Sequence, residues 1–265
     1  MQQFFQEIQI FLQTISDWLI LMVVFTFFFF SFNVGTVELF GRLVILPVPS
    51  DISFAAQLFS MMVTDLAPST VPLIVTSPLT AFVVQIKLSV FLAFLFTFPF
   101  LLYRSAQYFA PALYEHEYTI VRRMVVPALI LFGAGAVFAY AVIVPSTLRI
   151  LYLFADPIGV TSFLSVSEFI GLTMALILAT GFSFTLPVAM VALTGMRVIP
   201  SQFWFAHARY AIVGFIVLSA IITPDGSGVS MILLALPVSA LYGAGAFVAS
   251  RIESAGRRES QVSHY

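Results

Sequence analysis

Two carboxylates stand beside long apolar stretches of this chain, and a carboxylate is the group that pairs best with a guanidinium. Glu117 ends the segment 110–117, and Glu7 precedes the first apolar run. Each also has a structural interpretation. Glu117, like Glu115, could be a helix-start charge favoured by the helix dipole, and Glu7 could be a solvated terminal charge. The chemistry leaves Glu117 open and favours the structural interpretation for Glu115 and Glu7.

For the other polar residues near the apolar stretches, a structural role is the first interpretation. Lys87 is expected to extend its amine toward water, and Glu168 is expected to favour the start of a helix. Asp225 is typical of a Pro-Asp-Gly turn. Thr185 stands two residues before Pro187, so its hydroxyl could satisfy the backbone near the proline or could face another helix.

No catalytic set emerges from the sequence. Cysteine is absent and the three histidines are scattered, so neither a thiolate nucleophile nor a metal site is predicted. No His-Glu-x-x-His motif, phosphate-binding loop or pair of Ser and His on facing spans is present. We therefore expect neither an enzyme nor a bound cofactor.

The amino-acid composition predicts the secondary-structure elements that position these residues. Of 265 residues, 61% are hydrophobic and 9% are charged, against about 25% charged in soluble domains. A soluble chain of this size could not bury so much apolar surface. We predict an all-α polytopic membrane protein with six transmembrane helices. Gly133 and Gly135 give the third helix a small surface for close packing. The predicted spans cover residues 18–36, 81–103, 124–148, 169–196, 210–223 and 229–250, the fifth being short for a crossing.

The distribution of positive charge predicts how the chain is oriented in the membrane. Arginine concentrates in the even-numbered loops and in the C-terminal segment, which predicts that both termini are cytoplasmic. We expect one six-span domain over residues 1–250 and a polar cytoplasmic tail over 251–265. The outer loop 37–80 is expected to contain an amphipathic helix over 51–66.

These motifs, in this order, resemble those of TatC, the multi-spanning core of the twin-arginine protein translocase. The resemblance covers about residues 78–251. Its most specific block is Tyr-Phe-Ala-Pro-Ala-Leu-Tyr-Glu-His-Glu at 108–117. The other matching segments are 131–140, 181–187, 209–212, 223–225 and 233–237, together with Pro99. Six spans with cytoplasmic termini is also the architecture of that family.

The resemblance implies a signal-peptide receptor and scaffold of a twin-arginine translocase. Such a receptor works in the inner (plasma) membrane and exports folded proteins using the proton-motive force. The signal-peptide-binding residues of the family fall on Glu117 and Glu7, on the aromatic Tyr108 and on His116 beside Glu117. The implied partners are twin-arginine signal peptides of folded cargo, single-span subunits of the TatA and TatB type, further copies of the chain and the lipid bilayer. No cofactor and no nucleic acid is implied.

The resemblance places partner-contact or structural roles on Thr185, Asp225 and Pro99. This chain also departs from the family pattern. Glu or Gln is usual where Thr185 stands, and a hydroxyl cannot supply a buried charge. The family usually has His-Leu before and Leu-Arg after its N-terminal acid, unlike the surroundings of Glu7.

Two other classes stay open on the sequence alone. A small-molecule or ion transporter would need polar residues around a cavity at the membrane midplane, and these spans carry few. A purely structural membrane subunit would tolerate replacement of both Glu117 and Glu7.

Overall fold

The structure is a computed structural model of the chain. It describes the backbone of residues 2–39, 42–49, 53–66, 73–109, 115–153, 164–223 and 228–262. It describes the side chains of residues 13–32, 53–66, 73–108, 118–151, 164–223 and 228–254.

Long apolar helices dominate the described residues. The helices are α1 (Gln2–Ser31), α2 (Phe54–Leu66), α3 (Pro78–Phe109), α4 (Glu115–Phe138), α5 (Val144–Leu153), α6 (Val166–Gly195), α7 (Ser201–Ile222) and α8 (Val229–Val262). A π-helical turn, Ala139–Ile143, joins α4 to α5 in one continuous rod. Among the described residues, six stretches are long and apolar enough to cross a membrane: Gln13–Ser31, Pro78–Tyr108, Tyr118–Leu151, Val166–Gly195, Ser201–Ile222 and Val229–Ser254. The predicted all-α fold with six transmembrane helices is confirmed.

The predicted end of the first span at residue 36 is wrong. Helix α1 ends at Ser31, and the chain continues as strand β1 (Phe32–Leu39). Strand β1 pairs antiparallel with β2 (Arg42–Pro49). Apolar residues can form either a transmembrane helix or a strand. Asn33 and Gly35 are poor helix formers, and the β-branched residues between and after them favour a strand.

The fifth span begins earlier than predicted. Helix α7 starts at Ser201, directly after Pro200, rather than at residue 210. Arg209 therefore lies inside the helix, where its guanidinium carbon is 4.8 Å from the ring centroid of Tyr210. A long cationic side chain can lie along a helix and still reach water, so it need not end a span.

The described C-terminal residues continue helix α8. This helix reaches Val262, so most of the predicted tail is helical. The division into a domain at 1–250 and a tail at 251–265 stays a prediction.

The segment between the first two spans contains the expected helix. Helix α2 falls within the range predicted for an amphipathic helix, whose first two residues lie outside the described residues. Its buried residues Ala55, Met62 and Leu66 follow helical spacing. The ring of Phe54 packs against Phe29, with centroids 5.6 Å apart, so this face covers the end of α1.

Contacts divide the chain into two compact units. Unit 1 comprises Met1–Tyr108 and Ser162–Leu172, and unit 2 comprises Phe109–Thr161 and Thr173–Tyr265. In unit 1, α1 lies antiparallel to α3, and strand β3 (Leu73–Ile74) pairs parallel with β4 (Leu164–Ser165).

Unit 2 has a tightly packed core. Its centre is Met190, Tyr242 and Ala246, which come from α6 and α8, and α7 packs against them. A Cβ added to Gly245 would lie 2.9 Å from Cα of Pro187, so α8 approaches α6 closely at this proline. Close approach at a small residue is the usual way in which membrane helices associate.

Candidate functional site

An ion pair joins α1 to α3 in unit 1. Arg104 Nη2 donates to Asp17 Oδ2, and the guanidinium carbon of Arg104 lies 5.5 Å from the ring centroid of Phe100. One residue along α1, Trp18 Nε1 donates to Thr97 Oγ1 over 3.1 Å. These contacts fix the two helices side by side. Sequence reasoning did not find this pair, because 87 residues separate its members.

The ion pair indicates which helix ends lie together. Glu7 is ten residues before Asp17, about 15 Å toward the start of α1 at 1.5 Å per residue. Tyr108 is four residues after Arg104, about 6 Å toward the end of α3. Because α1 and α3 run antiparallel, Glu7 and Tyr108 lie at the same end of the helix pair. The structure describes Tyr108 as half-buried, whereas the side chain of Glu7 lies outside the described residues.

The two other predicted signal-binding residues lie at the start of α4. This helix begins at Glu115, so His116 and Glu117 belong to its first turn. A carboxylate is favoured there by the free backbone N–H groups and the helix dipole. The helix start thus supports the structural interpretation of Glu115 and is compatible with both interpretations of Glu117. The side chains of residues 115–117 lie outside the described residues.

Thr185 satisfies its own helix. Its Oγ1 donates to the backbone oxygen of Phe182 over 2.7 Å, and the side chain is half-buried on α6. Of the two interpretations left open for Thr185, the structure shows the local one, a hydroxyl bonded to the backbone before Pro187. Contact with a partner helix stays a prediction.

Two structural candidates remain. Pro99 lies inside α3 with an exposed ring, two residues after the buried Thr97 that receives the Trp18 hydrogen bond. Asp225 lies outside the described residues. In the part of the chain that the structure describes, no group of three or more His, Asp or Glu side chains could hold a metal ion.

Comparison with known proteins gives one family. The family model described as Sec-independent protein translocase protein (TatC) matches residues 6–237. The chain is 38% identical over 229 residues to the Sec-independent protein translocase protein TatC of Cenarchaeum symbiosum, covering 86% of this chain and 87% of the relative. It is 32% identical over 192 residues to the protein of that name from Aquifex aeolicus, covering 71% and 79%.

A solved structure extends the likeness to the fold. The chain matches a crystal structure of the twin arginine translocase receptor TatC with a TM-score of 0.72 and 25% sequence identity. The match covers 93% of this chain and 99% of that chain. The residues matched by the family model include every candidate site residue, from Glu7 to Asp225.

Proposed function

Because the chain belongs to the TatC family, we propose that it is the signal-peptide receptor and scaffold of a twin-arginine translocase. The observation that carries the proposal is the likeness to a solved twin arginine translocase receptor over 93% of the chain. In this role the chain takes up folded cargo proteins at the membrane, and the proton-motive force drives their export.

Recognition rests on charge. We assign the two guanidinium groups of a twin-arginine signal peptide to Glu117 and Glu7. Hydrogen bonds between ionised partners contribute about 1.5–3 kcal/mol each, and an arginine fork can make two with one carboxylate. Tyr108 offers an aromatic face to the peptide, and His116 adds a donor beside Glu117. The position of Glu7 and Tyr108 at one end of the α1–α3 pair supports this assignment.

The expected orientation places this site in the cytoplasm. The even-numbered loops and the C-terminal segment are rich in arginines, which stay on the cytoplasmic side. We propose the inner (plasma) membrane as the location of the chain. Signal peptides are made in the cytoplasm, so a receptor site on the cytoplasmic face can reach them.

Single-span subunits of the TatA and TatB type are the proposed membrane partners. Helix α7 presents exposed apolar residues at Val213, Val217 and Ile221, which follow one another at intervals of four. Such a stripe contacts either lipid or a partner helix. We assign partner contact to this stripe and to Thr185 on α6.

Site-specific photocrosslinking at Tyr108 tests the receptor role. The full chain in membranes is offered a signal peptide carrying Arg-Arg or the same peptide carrying Lys-Lys. We expect a crosslink to the Arg-Arg peptide that is lost with Lys-Lys, because lysine lacks the fork that binds a carboxylate twice. The matched control is a photoreactive residue at Tyr210, exposed on α7, which should not distinguish the peptides.

The other outcomes have definite meanings. Equal crosslinking of both peptides at Tyr108 would mean a general apolar contact without recognition of arginine. No crosslink to either peptide by the folded protein would favour a transporter or a structural subunit instead.

A further inference from the structure

A small groove on α4 is lined entirely by side chains that can donate hydrogen bonds. Tyr118, Thr119, Arg122 and Arg123 surround a space of about 370 Å³. Arg122 follows Tyr118 by four residues and Thr119 by three, and Arg123 follows Thr119 by four, so these side chains are neighbours on the helix surface. Both arginines are exposed, and neither has an ion-pair partner among the described side chains. The groove therefore presents two guanidinium groups and the hydroxyl of Tyr118 to whatever enters it.

An exposed apolar stripe continues from this groove along the same helix face. Val126 is 60% exposed, Ile130 is 64% exposed and Val137 is 67% exposed. Val126 follows Arg122 by four residues, Ile130 follows by four more, and the exposed Ala134 lies between Ile130 and Val137. This spacing keeps the arginines and the apolar residues on one side of α4. Phe132 and Gly135, which pack against α6, belong to the opposite face.

We propose that this face of α4 binds an anionic phospholipid. The phosphodiester lies in the groove against Arg122 and Arg123, and an acyl chain lies along Val126, Ile130 and Val137. The guanidinium fork matches the geometry of phosphate oxygens, and the hydroxyl of Tyr118 adds a donor. This proposal does not depend on the receptor role.

The combination of groove and stripe selects a lipid over a free anion. Two exposed arginines directly before an apolar segment lie where phospholipid headgroups meet the hydrocarbon. A free phosphate would use the groove but would gain nothing from the apolar stripe. Glu115 and Glu117 lie between five and eight residues before the arginines and weaken the positive field, so binding depends on direct hydrogen bonds from the arginines.

Native mass spectrometry of the full chain in detergent tests the proposal. The probes are phosphatidylglycerol and phosphatidylcholine with equal acyl chains. We expect the chain to retain phosphatidylglycerol in preference to phosphatidylcholine. The double variant Arg122→Gln/Arg123→Gln should weaken phosphatidylglycerol binding about tenfold, from the loss of charge-assisted hydrogen bonds. Its affinity for phosphatidylcholine, which shares the phosphodiester but has no net charge, should fall less.

A matched control removes two other exposed charges. The double variant Arg149→Gln/Arg251→Gln has the same net charge and should bind phosphatidylglycerol as the unaltered chain does. Both double variants should keep the melting temperature, because all four side chains are exposed. Equal loss in the two double variants would mean unspecific attraction to charge and would overturn the proposal.

Two further measurements separate the alternative occupants. Inorganic phosphate should not compete with phosphatidylglycerol at equal concentration. Equal competition would mean that the groove binds a free anion rather than a lipid, and would overturn the proposal. A photoreactive residue at Val126 should crosslink to lipid in membranes, whereas a crosslink to another polypeptide would show that the stripe is a helix interface and would contradict the proposal.

Discussion

The ring of Phe184 on α6 occupies the space that a side chain at Gly135 on α4 would need. A Cβ at Gly135 would lie 2.8 Å from Cγ of Phe184 and 2.9 Å from the backbone oxygen of Thr180. The relationship is reciprocal, since a Cβ at Gly181 on α6 would lie 2.8 Å from the ring of Phe132 on α4. Each helix thus places a phenylalanine against a glycine of the other, which fixes their register.

Replacing Gly135 tests this register. Gly135→Ala should lower the free energy of unfolding by about 1–3 kcal/mol, because the backbone of Thr180 cannot move as a flexible side chain would. Thermal unfolding in detergent measures the change. Gly133→Ala is the matched control, since no described atom lies within 4 Å of a Cβ there, and it should be neutral or slightly stabilising. Equal losses would show that helix flexibility, not packing, explains the effect.

A chain of hydrogen bonds links α7 to both α6 and α8. Tyr242 Oη donates to the backbone oxygen of Trp204 over 2.9 Å, and Trp204 Nε1 donates to Thr194 Oγ1 over 2.9 Å. Tyr242→Phe should lower the free energy of unfolding by about 1 kcal/mol, the net value of one such bond. The control Ser239→Ala removes a bond made only within α8 and should have a smaller effect. A Tyr242→Phe variant as stable as the unaltered chain would contradict the role of this hydrogen bond.

The first turn of α7 receives a carboxylate from α8. The backbone N–H of Ser201 donates to Glu253 Oε2 over 2.7 Å, where the helix dipole also favours negative charge. Glu253→Ala should reduce stability by about 1 kcal/mol, as the loss of a helix cap does. Glu253→Gln keeps an oxygen acceptor and should lose less. Hydrogen exchange at the start of α7 measures the effect, and unchanged exchange in Glu253→Ala would contradict it.

The ion pair between Asp17 and Arg104 should matter more for position than for stability. The two side chains are 47% and 35% exposed, so solvent screens their attraction. Asp17→Asn should therefore lower the free energy of unfolding by less than about 1 kcal/mol. We expect it to weaken signal-peptide binding as well, because the pair sets where the start of α1 lies beside α3. The exchanged variant Asp17→Arg/Arg104→Asp should recover binding, and a failure to recover would argue against this role.

The membrane spans were predictable because the hydrocarbon imposes a local requirement. A helix that crosses it needs a long apolar stretch, and four of the six predicted spans stand out as long uncharged stretches between charged residues. Arg209 misled the prediction for α7, since a snorkelling cation can lie inside a span. The uncharged run that continues past Ser31 misled it for α1, because hydrophobicity alone does not distinguish a helix from a strand.

Contacts between residues that are far apart in the chain could not be predicted from the sequence. The small surface at Gly133 and Gly135 was predicted, but only the fold shows that Gly135 meets Phe184. Asp17 and Arg104 are distant along the chain, and no local pattern joins them. For the candidate site, the motif around Glu117 was predicted to precede the third span, and α4 begins there. The binding roles of Glu117 and Glu7 come from the family and stay predictions.

The receptor role depends most directly on Glu117. The decisive measurement is the dissociation constant of the full chain in nanodiscs for an Arg-Arg signal peptide, with the variants Glu117→Gln and Glu168→Gln. Glu168 lies in the first turn of α6 and serves as a control of equal charge change. We expect binding about tenfold weaker or more for Glu117→Gln, from the lost charge-assisted hydrogen bonds, and unchanged binding for Glu168→Gln. Equal affinities for the unaltered chain and Glu117→Gln would contradict the proposed receptor role.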